Sequence, residues 1–131
     1  MTCLETLPGI TSLGTGSSQE FDFLGNAHGP DVSVMGPAKA ALLDLDRRVQ
    51  RFVPDLAIEV SSQSDTYEGL LAKKARYLKS GTAEVWPFSF RTRELAIYGA
   101  HRSLTLRGAD AITTDLMPGF SITVDELLQG L

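Results

Sequence analysis

Several short runs of this chain alternate apolar and polar residues. In Pro54-Asp55-Leu56-Ala57-Ile58-Glu59-Val60, Leu56, Ile58 and Val60 alternate with Asp55, Ala57 and Glu59. A period of two predicts a strand, and the β-branched residues agree. Glu20–Leu24 and Asp31–Met35 show the same pattern, separated by Gly25-Asn26 and His28-Gly29-Pro30, which are turn chemistry. Glu84-Val85-Trp86 with Phe88, and then Glu94–Tyr98, predict a hairpin across Arg91-Thr92-Arg93. Ser103–Leu106 predicts another short strand. Residues 1–19 read as mostly irregular, with one short strand over Ile10–Leu13.

Helical patterns fall between these runs. The segment 38–51 has apolar Ala40, Ala41, Leu43, Leu45 and Val49 and basic Arg47, Arg48 and Arg51, and predicts a helix of poor periodicity. After Ser61-Ser62-Gln63-Ser64, Asp65 with Glu68 has capping-box spacing. Leu70, Leu71, Ala75, Tyr77 and Leu78 give that helix an apolar face, and Gly81 is placed to end it in a left-handed conformation. Met117-Pro118-Gly119-Phe120 predicts a turn, followed by a short terminal helix capped by Thr123. Paired strands with helices between them predict an α+β fold rather than a doubly wound sheet.

Composition narrows the class. The 131 residues suit one core, here expected over 21–131 behind an irregular segment 1–20. A net charge of −4 and a pI near 5.1 argue against broad coating of nucleic acid, and leave a local basic groove open. The single cysteine, Cys3, excludes an intrachain disulfide framework or a cysteine metal centre. No apolar run reaches membrane length, and the N-terminus has neither the basic nor the apolar part of a secretory signal. A reducing, cytoplasmic compartment is therefore the expectation.

The chemistry is concentrated around Glu59. An acid within an apolar strand is costly to bury unless a cation or a donor pairs with it. Asp55 is four residues away, about 13 Å along a straight strand, so the two are poor co-ligands of one ion. Asp31 is the better candidate, because its strand has the same Pro-Asp start and pairing the two strands would set it beside Glu59. A plain buried salt bridge remains the alternative. On a helical wheel Lys74 falls within the apolar face of the 65–81 helix and Lys73 at its edge. An edge lysine can thread its tip into a cleft while its stem packs, and either could equally be a surface lysine. Asp55 reads as a turn cap, His28 and His101 as solvated loop histidines, Arg47, Arg48 and Arg51 as a solvated helix face, and Trp86 as core. Ser61, Ser62 and Ser64 have no histidine partner in the sequence, so no triad is indicated.

These residues together resemble the Uma-type restriction-endonuclease-like family of the PD-(D/E)xK nuclease superfamily. The resemblance covers about residues 21–128. It rests on Pro54-Asp55, Glu59-Val60, Ser62-Gln63-Ser64-Asp65, Lys73 four before Tyr77, Gly81 and Trp86, with Gly29-Pro30-Asp31-Val32-Ser33-Val34 as the earlier Pro-Asp strand and Met117-Pro118-Gly119-Phe120 as the C-terminal Pro-Gly-Phe. It implies a restriction-endonuclease-like core, a mixed and mostly antiparallel central sheet flanked by helices. It also implies metal-dependent cleavage of DNA, with Asp31 and Glu59 holding Mg²⁺ or Mn²⁺ and Lys73 as a catalytic lysine on the helix. The chain departs from the family in two places. The family has an accessory glutamate on an N-terminal helix, which Glu5 and Glu20 do not match, so the chain reads as N-terminally shortened. The family's Trp strand also continues as an apolar run, where this chain has Trp86-Pro87-Phe88-Ser89-Phe90. A shortened domain would expose apolar surface and pair as a homodimer. The runner-up reading is a degenerate member that keeps the scaffold as a binding or structural protein.

Overall fold

Leu56, Ala57 and Ile58 are consecutive and all fully buried, so the strand that carries them is covered on both faces. A computed structural model describes residues 11–13, 19–61 and 66–130. In chain order its strands are β1 (Thr11–Leu13), β2 (Glu20–Phe23), β3 (Asn26–His28), β4 (Val32–Met35), β5 (Val49–Gln50) and β6 (Leu56–Ser61). They continue as β7 (Glu84–Ser89), β8 (Glu94–Gly99), β9 (Ser103–Arg107), β10 (Ala111–Ile112) and β11 (Ile122–Thr123). The helices are α1 (Pro37–Ala40), α2 (Tyr67–Lys79) and α3 (Val124–Gly130).

The central sheet is six-stranded, in the order β1-β4-β6-β7-β8-β9. Only β6 and β7 are parallel, joined through α2; the other neighbours are antiparallel. The fold is thus α+β, as the pattern of runs predicts, with the mixed, mostly antiparallel sheet that the resemblance implies. Pro87 lies inside β7 opposite Glu59, and the β7–β8 ladder is interrupted between Val85↔Tyr98 and Phe88↔Leu95, where proline has no N–H to give. No helix among the described residues is long and apolar enough to cross a membrane.

Strand alternation divides the core into two layers. Val32, Val34, Leu56, Ile58, Trp86 and Phe88 point to one face, where Ile112, Met117, Phe120 and the α3 residues Val124 and Leu127 cover them. Met35, Ala57 and Val85 point to the other, against Tyr77 of α2, Val53, and Phe21 and Phe23 of a small sheet ordered β3-β2-β5. Thr123 caps α3 as expected: its Oγ1 accepts from the Glu126 amide at 3.1 Å, and Glu126 Oε1 accepts from the Thr123 amide at 3.2 Å.

Three expectations need correction. The helix expected over 38–51 shrinks to Pro37–Ala40, and Val49–Gln50 is a strand parallel to β2. The buried Gln50 amide replaces helical hydrogen bonding in the intervening loop. Its Nε2 donates to the Asp44 and Arg47 carbonyls and to Gln19 Oε1, and its Oε1 accepts from the Asp44 amide. That leaves Leu42 and Leu45 exposed rather than on a buried helical stripe. The N-cap of α2 is Thr66, whose Oγ1 accepts from the Gly69 amide at 3.0 Å; Asp65 lies outside the described residues. Ala75 is exposed, because the face that α2 turns to the sheet is Leu70, Lys73, Lys74, Tyr77 and Leu78. Gly81 has φ +109° just past the helix end, as its position predicts.

Candidate active site

The two Pro-Asp runs meet in the middle of the sheet. β4 and β6 pair with Val32 opposite Ile58 and Ser33 opposite Ala57. One further step of this register brings Asp31 alongside Glu59, both on the face turned to α2. Asp31 Oδ2 accepts a hydrogen bond of 2.7 Å from the Val60 amide, immediately after Glu59. Its Oδ1 has no hydrogen-bond partner among the described residues.

Glu59 is buried, with 7% of its side chain accessible. Its Oε1 accepts from the Tyr77 hydroxyl at 2.7 Å, and its Oε2 faces Lys73 Nζ at 3.8 Å. Lys73 and Tyr77 are one turn apart on α2, so a single helical face delivers both to the carboxylate. Lys73 keeps 39% of its side chain accessible, with its amine at the border between Glu59 and solvent. Burial, then the charge and hydrogen bond of Glu59, push the Tyr77 phenol well above its usual range; Asp31 adds to the effect. Tyr77 therefore senses both acids and stays protonated at neutral pH, able to donate to Glu59.

The structure thus brings Asp31, Glu59 and Lys73 to one side of the sheet. Lys74 goes elsewhere: its amine lies 4.3 Å from the centre of the Tyr98 ring. Asp55 has the structural role expected of it, accepting from the Gly36 amide at 2.7 Å and facing Lys39 at 3.5 Å. Trp86 is core. His101 is an exposed residue of the turn between β8 and β9. Glu20 opens β2, its nearest cation Arg48 at 3.8 Å.

His28 is the residue that sequence reasoning misplaced. It ends β3 opposite Phe21, half-buried, with its ring 6.1 Å from that of Tyr77. Its Nε2 is 3.0 Å from Arg76 Nη1, so the imidazole accepts and the guanidinium donates. Burial, then the charges of Arg76 and Lys73, hold its pKa below the usual histidine value, against a smaller opposing pull from Glu20. Arg76 follows Lys73 by three residues on α2, a spacing that carries both to one edge of the helix. On the β7–β8 side of α2 lies a groove of about 970 Å³, lined by Ser61, Leu70, Leu71, Phe90 and Tyr98 among others and by none of Asp31, Glu59, Lys73, Arg76 or His28.

Asp31 and Glu59 supply oxygen donors of the kind Mg²⁺ and Mn²⁺ take, and Mg²⁺ is commonly held by one or two carboxylates. Asp31 Oδ1, without a hydrogen-bond partner among the described residues, agrees with such a ligand. Among the described residues no group of three or more His, Cys, Asp or Glu side chains is placed to hold a metal.

The mixed sheet thus holds an acidic pair at its centre with a lysine brought to it by the crossover helix, the arrangement that the resemblance implies for a restriction-endonuclease-like protein. A family model described as "Uma2: Putative restriction endonuclease" matches residues 6–125, and the chain belongs to that family. Its fold is similar to that of "a putative nuclease belonging to DUF820" from Anabaena variabilis ATCC 29413, with a TM-score of 0.79 at 14% identity, covering 98% of this chain and 73% of that one. At this identity the likeness concerns the fold. No curated protein matches the sequence.

Proposed function

We propose that this protein is a metal-dependent endonuclease that hydrolyses phosphodiester bonds in DNA. The observation that carries the reading is the convergence of Asp31 and Glu59 from adjacent strands with Lys73 beside them. Membership of a restriction-endonuclease-like family supports it. Asp31 and Glu59 would hold Mg²⁺ or Mn²⁺. Such an ion, when bound, lowers the pKa of water, neutralises developing charge on phosphate and offsets the acids' repulsion of DNA.

The chain's own groups set up the rest. Tyr77 fixes one oxygen of Glu59, and the Val60 amide fixes one oxygen of Asp31, so both acids are held before substrate arrives. The Lys73 ammonium, at the solvent border, would meet a phosphate oxygen and stabilise the negative charge that grows on it during hydrolysis.

One observation favours a second reading. Asp31 and Glu59 have no third acid or histidine within a metal-binding group among the described residues, which suits a degenerate member acting as a binding protein. Calorimetric titration with Mn²⁺ separates the two. The nuclease reading expects saturable binding by the wild type that is lost in Glu59→Gln; an absence of binding, even with DNA present, favours the degenerate member.

We also infer self-association as a homodimer, supported by Leu42 and Leu45, exposed to 62% and 70% in one loop, and by exposed Leu24. Light scattering that gives a monomer mass at high concentration would contradict this.

A further inference from the structure

Arg76 is a half-buried cation matched to a neutral ring. Nη1 donates to His28 Nε2 at 3.0 Å, and no carboxylate lies within ion-pair distance of the guanidinium among the described residues. Glu20 acts on His28 but is paired with Arg48 at 3.8 Å. The imidazole stays uncharged because burial and the Arg76 and Lys73 charges oppose its protonation. Arg76 is therefore fixed in direction by a partner that does not neutralise it. Its Nε and Nη2 have no partner among the described residues. A guanidinium anchored through one arm, with the remaining N–H groups presented together, suits two oxygens of one phosphate.

The position gives this meaning. Lys73 and Arg76 are three residues apart on α2, a rise of about 4.5 Å, and lie on one edge of it, Lys73 at Glu59 and Arg76 at His28. A strand whose scissile phosphate lies at Asp31, Glu59 and Lys73 and which follows this edge would bring a neighbouring phosphate to Arg76. We propose that Arg76, oriented by His28, is a phosphate-binding subsite that holds the phosphodiester next to the scissile one. This rests on the nuclease reading of the neighbouring acids. It assigns Arg76 to substrate binding and His28 to positioning Arg76.

Inorganic phosphate is the probe that does not depend on DNA cleavage. In NMR titrations the His28 ring and Arg76 Nε signals should shift saturably with phosphate in the wild type and not in Arg76→Gln. No saturable shift in the wild type overturns the subsite. In plasmid nicking, Arg76→Gln should raise KM about tenfold with kcat within about twofold. It should also reduce the salt dependence of log kcat/KM by about 0.9, the loss of one phosphate contact. Arg76→Lys, which keeps charge but loses the fork, should fall between, and it controls for any misfolding of the glutamine variant. His28→Ala should raise KM in the same direction. Nicking with unchanged KM and salt slope in Arg76→Gln overturns the subsite and leaves the nuclease reading standing. Phosphate binding at Arg76 in a protein that never cuts DNA does the reverse.

Discussion

Tyr77 and Glu59 form a buried hydrogen bond of 2.7 Å that ties the middle of α2 to the centre of the sheet. Tyr77 also stacks on Phe23, ring centres 4.2 Å apart, so its hydroxyl is aimed by packing on one side and by the carboxylate on the other. The bond fixes the rotation of α2 about its axis. That rotation carries Lys73 to Glu59 and Arg76 to His28.

Tyr77→Phe should leave the fold intact and cost about 2 kcal/mol, because a buried carboxylate loses a donor that water cannot readily replace. Urea denaturation at neutral pH measures this. A loss below about 0.5 kcal/mol would mean that another group satisfies Glu59. Under the nuclease reading the same variant should nick more slowly, its Glu59 no longer held on Oε1.

A second, partly buried acid should govern acid stability. Glu84 accepts from Arg102 through both oxygens, from Trp86 Nε1 and from Thr114 Oγ1, each at 3.0 Å. Burial alone would raise its pKa, but the Arg102, Trp86 and Thr114 hydrogen bonds outweigh it and hold the carboxyl below the usual 4.5. A folded-state pKa below the unfolded one adds stability that is fully present above about pH 4.5 and is lost as pH falls through the folded value. Arg102→Ala should cost about 2 kcal/mol at pH 7, since it removes two charge-assisted hydrogen bonds at about 3.0 Å from a partly buried carboxylate that keeps its Trp86 and Thr114 donors. It should also flatten the acid limb of the stability curve, as measured by thermal midpoints between pH 3 and 7. An unchanged acid limb would contradict the assignment.

Thr66 should be worth about 1 kcal/mol as the N-cap of α2, lost in Thr66→Ala and largely kept in Thr66→Ser. Thermal denaturation tests it, and equal midpoints for the two variants would place the cap elsewhere.

The strands were legible because their side chains alternate, and Glu59 stood out because a period of two put an acid where the neighbours are apolar. Asp31 could be paired with it from the shared Pro-Asp pattern. The 38–51 segment was misread because its organising group, the Gln50 amide, bonds to carbonyls that no periodicity marks. His28 reads as a solvated loop histidine for a similar reason. Its partners Arg76 and Tyr77 are far along the chain and meet it only through the packing of β3 against α2. The helical wheel places Lys74 within the apolar face and Lys73 at its edge but cannot tell either from a surface lysine, whereas in the fold each has a separate partner, Glu59 for Lys73 and the Tyr98 ring for Lys74.

Nicking of supercoiled plasmid in Mg²⁺ or Mn²⁺ tests the Asp31–Glu59–Lys73 assignment most directly, with the wild type beside Asp31→Asn, Glu59→Gln and Lys73→Ala. Asparagine keeps an oxygen for the Val60 amide and glutamine keeps one for Tyr77, so the folds should persist while the acids' charge is lost. Lys73→Ala should shift stability by less than about 0.5 kcal/mol, as expected for a partly exposed ion pair. The expected result is nicking by the wild type, none by the two acid variants, and a slowing of roughly a hundredfold or more in Lys73→Ala. Equal nicking by all four proteins, or no nicking by highly purified wild type in either metal, would contradict it.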